Sequence, residues 1–187
     1  MKKLLIITVV TVAGCLLIGH TMHIIRASTE FGNTVTALES EVNEYYTTTS
    51  VKAAEKTLEL ARPYMDLKDQ GRFEQRLETL KEPWGMSHDS SYGFIWAIME
   101  NMEKWAVRQL NAKGEVVISR EMTRAALIQE PAYLEILQLM EALEKMENFS
   151  DNLRYADNDR PKSNKEFEVA RARFSEQKKV IEALLTK

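Results

Sequence analysis

Three short arrangements of reactive side chains invite a chemical reading. Ser87-His88-Asp89 carries the residue types of a hydrolytic triad. Working triads assemble from distant parts of a fold, because three consecutive side chains in a loop do not converge on one point. No G-x-S-x-G turn is present to raise a nucleophile, so the triplet reads as turn or capping chemistry. Asp157-Asn158-Asp159 begins like a calcium loop, yet Pro161 stands near where the glycine and further ligands should follow. His20 and His23 lie one helical turn apart and share a face. Two imidazoles need a third ligand to hold a transition metal, and none is in reach by sequence. Walker, Rossmann, C-x-x-C and H-E-x-x-H motifs are absent. Acidic pairs suited to sugar hydrolysis are hard to single out where 28 Asp and Glu are spread over helical faces. The expectation is a non-enzymatic chain with neither cofactor nor metal.

The stretch from Tyr92 to Val107 is more informative. At about 100° per residue, Ile95, Ile98, Met99, Met102 and Ala106 form one stripe. Phe94 and Trp105 widen it on one side, Trp96 and Val107 on the other. Glu100, Asn101, Lys104 and Arg108 make the polar strip. So broad an apolar arc belongs to a central core helix. Its large aromatics and adaptable methionines also suit a ligand-holding or partner-holding groove. Trp96, Met99, Glu103 and Trp105 are the candidate residues, with Glu103 falling near Trp96 and open to either partial burial there or a place towards Lys104 and solvent.

These groups need elements to position them, and the first such element is the N-terminal run. After Lys2-Lys3 an uncharged segment extends from Leu4 to Ile25, closed by Arg26. As a helix it measures about 33 Å, enough for a hydrocarbon core of about 30 Å. Val12-Ala13-Gly14-Cys15 resembles a bacterial lipoprotein signal, which implies cleavage and lipidation at Cys15. The apolar run continues past that cysteine, where a polar tether is usual, so an uncut anchor over residues 4–25 is the expectation and the lipidated leader the alternative. Lys2 and Lys3 outweigh Arg26, which puts residues 27–187 outside the cytoplasmic face, in the periplasm or beyond the cell. Lys2, Lys3 and Arg26 leave 22 of the 25 basic residues against all 28 acidic ones, a net charge of −6 for this part. That balance argues against nucleic acid as a partner. Cys15 is the sole cysteine, so the exported domain rests on packing without an internal disulfide.

Beyond the anchor the period is helical. Phe31, Val35, Leu38, Val42 and Tyr45 step by four and three, a seam suited to pairing with another helix, in a second chain or within the same bundle. The phase breaks at Thr47-Thr48-Thr49-Ser50 and restarts at Val51, leaving open one bent helix or two, with Pro63 ending the segment near Arg62. A short helix around Phe73 to Leu80 follows, then a loop to Ser91. A long helix from Tyr92 to Asn111 is stopped by Lys113-Gly114. Glu115 to Ile118 reads as a brief extended piece. Further helices run over Ser119 to Gln129, from Pro131 towards Leu153, and after a Ser163 or Asn164 cap. The fold class is therefore all-α: a membrane helix over 1–26 and an antiparallel bundle of five to six helices over 27–187.

The expected function is a membrane-tethered, extracytoplasmic protein-interaction module of assembly, inhibitor, immunity or exclusion type. Its partner would be another envelope protein or a second copy. The alternative is a sensor or carrier of a small apolar ligand held near Trp96 and Trp105.

Overall fold

The computed structural model describes the backbone of residues 2–82, 88–115, 117–155 and 160–187, and the side chains of 28–82, 91–115, 117–154 and 160–187. Among the described residues the chain forms six α-helices and no strand: α1 (Lys2–Ala61), α2 (Leu67–Lys81), α3 (His88–Ala112), α4 (Arg120–Ile128), α5 (Pro131–Tyr155) and α6 (Asn164–Thr186). The all-α bundle is thus observed. No helix among the described residues is long and apolar enough to cross a membrane. The expected span over 4–25, with Cys15, His20 and His23, falls in the part of α1 whose side chains lie outside the described residues.

Helix α1 is continuous through the threonine run. Hydroxyls bond back to carbonyls one turn earlier, Thr47 to Asn43 at 2.8 Å and Ser50 to Tyr46 at 2.5 Å. This bonding satisfies polar groups that would otherwise compete with the helix. The buried stripe also keeps its phase. It passes from Val35 through Val42, Tyr46, Thr49 and Ala53 to Ala61 in steps of three and four. The hydroxyl residues at 49 and 50 are part of it, at 4% and 6% exposure, which an apolar-only pattern cannot register. Pro63 then ends the helix in a 3₁₀ turn, Arg62–Tyr64. Asp66 caps α2 by accepting from the Asp69 N–H at 2.8 Å.

Cross-contacts fix the directions of α2, α3, α5 and α6 along α1. Lys81 reaches back to Glu55 at 3.0 Å, so α2 descends along α1. Trp105 meets Tyr64 edge-on at 4.8 Å, while Tyr92 feels the charges of Glu144 and Glu147 near Tyr46, so α3 ascends parallel to α1. Helix α5 descends: the Tyr64 hydroxyl donates to Glu130 at its start, and Arg154 faces Glu39 near its end. Helix α6 ascends, setting Phe167 edge-on to Phe31 at 6.4 Å and Phe174 to Tyr45 at 5.7 Å. The lower part of the domain is therefore three helices, α1, α5 and α6. Around the upper part of α1, α2, α3 and α4 join the top of α5.

Helix ends follow local chemistry. Gly114, at φ +89°, closes α3, with its N–H bonded to the Asn111 carbonyl at 3.0 Å and the Glu115 N–H to Leu110 at 3.3 Å. Ser119 caps α4 through the Met122 N–H at 3.2 Å. Pro131 opens α5, and Ser163 caps α6 through the Glu166 N–H at 3.3 Å.

Candidate functional site

Three of the four groove candidates come together and the fourth does not. Trp96, Met99 and Glu103 line a surface cleft of about 1040 Å³ between α3, α4 and α5. Trp105 sits nine residues, or half a turn of phase, from Trp96 and packs on Tyr64 at the opposite flank of α3. A single pocket holding both tryptophans is not what the helix builds. Glu103 is exposed, the solvent-facing of its two placements, because α3 turns that edge towards open solvent in the cleft mouth.

The floor of the cleft is core. Leu127 of α4 is 1% exposed and Tyr133 of α5 is 8%, with Met99 beside them at 6%. Its rim is not: Trp96 is 54% exposed, Ile128 42% and Leu134 40%. Charges of both signs ring this apolar rim, Glu100, Glu103 and Lys104 from α3, Arg120 and Arg124 from α4. None of these five forms an ion pair with another described residue. Two groups show the local field. Burial, then the negative charge of Glu103, pushes the Tyr133 phenol upward against the opposing pull of Arg124. The Glu121 carboxyl is held below its ordinary value, first by its own backbone N–H and then by the Ser119 hydroxyl at the helix start.

The expected pairing seam is occupied from within. Val35, Leu38 and Val42 are buried at 1%, 4% and 0%. Phe31 meets Phe167, and Tyr45 meets Phe174 while its hydroxyl donates to the Lys178 carbonyl at 3.3 Å. Tyr46 takes the deeper position instead of Tyr45, at 4% exposure, with burial as the main cause and the charge of Glu147 as the next in raising its phenol pKa.

Asn101 departs most from the helical wheel. Placed on the polar strip of α3, it is 2% exposed, because the start of α2 lies over it. Its Nδ2 donates to the Asp69 carboxylate at 2.8 Å, and Asp69 also pairs with Arg72 at 3.1 Å. The polar strip is thus a joint between helices.

Ser87 and Asp157-Asn158-Asp159, together with the side chains of His88 and Asp89, lie outside the described residues. Among the described residues no group of three or more His, Cys, Asp or Glu is placed to hold a metal. The sequence reading missed the α4 and α5 walls: Arg124, Ile128 and Leu134 sit in unremarkable amphipathic stretches, and only the α3–α4–α5 packing makes them neighbours. No protein-family model, curated protein or solved structure matches the chain.

Proposed function

We propose that the chain is a non-enzymatic, membrane-tethered interaction module that docks a partner polypeptide in the α3–α4–α5 cleft, outside the cytoplasmic membrane. The observation that carries this reading is the exposed Trp96, flanked by Ile128 and Leu134 and ringed by charges of both signs. An aromatic anchor over a packed floor with a polar rim is the anatomy of a protein-binding hot spot. A small-molecule site encloses most of its ligand, whereas a cleft with a half-exposed tryptophan on its edge leaves a small ligand open to water. The tether is the apolar run over 4–25, and its lysine-first flank supports the outward orientation. Roles of assembly, inhibitor, immunity or exclusion type all fit such a module.

A photoreactive residue at Trp96, irradiated in native membranes, should give one discrete protein adduct that disappears in Ile128→Glu. Adduct formation indifferent to Ile128→Glu, or none at all, would overturn the docking assignment. Saturable quenching of tryptophan fluorescence by cell-envelope lipid extract would favour the small-ligand alternative.

A further inference from the structure

We infer that α1 acts as a strut that holds the docking cleft about 40–60 Å beyond the hydrocarbon edge, so that its partner is a soluble polypeptide or a projecting ectodomain, never a segment lying in the headgroup layer. This rests on the tether proposed above for residues 4–25. Helix α1 runs without interruption from Lys2 to Ala61, so each level of the bundle has a height set by residue number. A helix rises 1.5 Å per residue. Phe31, which meets Phe167 at the foot of α6, is six residues past Ile25, or about 9 Å out. Tyr64 stands thirty-nine residues past Ile25, about 58 Å along the same line, and it holds both Trp105 and Glu130. Tyr92 is level with Tyr46, about 32 Å out, and Trp96 lies about 6 Å above it on α3, which places the cleft between about 40 Å and the level of Tyr64 near 60 Å. A tilt of about 20°, ordinary for a membrane helix, shortens these heights by only about 6%. The headgroup layer is about 5–8 Å deep on each side. It ends about level with the foot of the bundle and far below the cleft.

The strut also needs stiffness. Helices α5 and α6 brace α1 from Phe31 upward, with the seam residues Val35, Leu38 and Val42 buried between them. The Thr34 and Thr36 hydroxyls donate to the Glu30 and Gly32 carbonyls at 2.9 and 3.0 Å, so these polar groups are satisfied within a helix that stays continuous there.

The test is energy transfer from a cysteine-attached donor to an acceptor lipid, using the full chain reconstituted in phosphatidylcholine vesicles on a Cys15→Ala background. Lys165→Cys labels the foot and Lys104→Cys the level of the cleft; both positions are exposed. Transfer should be near complete from position 165 and weak from 104, fitting a separation of about 55 Å for the latter. Equal transfer from the two labels, as for a bundle lying along the bilayer, overturns the strut while leaving the tether intact. Protein that fails to float with the vesicles overturns the tether itself, a separate readout from either transfer value.

Discussion

Along the lower part of α1 the bundle is mainly α1, α5 and α6, and the apolar seam of α1 is closed from within. Higher up, α2, α3 and α4 join α1 and α5, and the face between α3, α4 and α5 stays open. The lower half closes its seam with aromatic edges, Phe31 on Phe167 and Tyr45 on Phe174, while Lys178 covers the Tyr45 ring at 5.0 Å. The upper half buries Phe94, Ile95, Ile98 and Met102 completely, yet leaves Trp96 on the same helix half in water. The difference lies in neighbours: helix α4, at nine residues, is too short to roof α3 and α5 along their length. Identical helical periodicity thus yields a closed α1 seam in one half and an open α3–α4–α5 face in the other.

The strongest way to break this comparison is to destroy the upper core and ask whether the lower one survives. Ile98→Asp buries a carboxylate at a position with 0% exposure, at a cost of several kcal/mol. Because α1 and α5 run through both halves, circular dichroism should show loss of the entire cooperative melt. A residual transition from the lower three helices would make the halves independent units. Next in size is Phe174→Ala, which removes a ring that is 5% exposed in the lower half and should cost about 3–5 kcal/mol in denaturant titration. A loss under 1 kcal/mol would mean that α6 is not part of the sealed core.

How much of this was legible in sequence also divides by region. The lower half repeats apolar residues at three and four, so its seam from Phe31 to Val42 could be read directly. Only the register near Tyr45 and Tyr46 slipped, where the buried phase runs on through Thr49 and Ser50. The run looks like a break because the Thr47 and Ser50 hydroxyls are satisfied by carbonyls four residues earlier, which no hydropathy pattern contains. The Gly114 stop, the helix start near Ser119, a cap at Ser163 or Asn164 and the Pro131 start were legible because each rests on local backbone chemistry. In the upper half the tertiary partners decide. Asn101 reads as solvent-facing until α2 is laid over it, and the cleft depends on which helices lie beside α3.

A smaller effect sharpens the joint at the top of the bundle. The Tyr64 hydroxyl donates to Glu130 at 3.0 Å, and burial, followed by that bond, pushes its phenol from 10.0 up to about 12. The folded state therefore holds the proton more tightly than the unfolded chain. That contribution is whole below pH 10 and is lost as pH rises through about 12. Tyr64→Phe should cost about 1 kcal/mol at pH 7 and remove this part of the alkaline fall in stability. An unchanged alkaline profile in the variant would assign the fall to other tyrosines, such as Tyr46, whose phenol is also raised.

The smallest expected change in stability carries the most about function. Trp96→Ala removes a side chain already 54% exposed, so the melting free energy should move by no more than about 0.5 kcal/mol. Trp105→Ala, on the same helix, removes a half-buried ring stacked edge-on against Tyr64 at 4.8 Å, and should cost about 3 kcal/mol. If the cleft is the docking face, partner capture should follow the opposite order, abolished by the first substitution and retained by the second in whatever protein remains folded. Equal stability losses would mean that Trp96 is structural after all, and the contrast between the closed α1 seam and the open cleft would vanish. Capture lost in both variants in proportion to unfolding would separate the partner site from the cleft, because an exposed anchor must act on binding without acting on the fold.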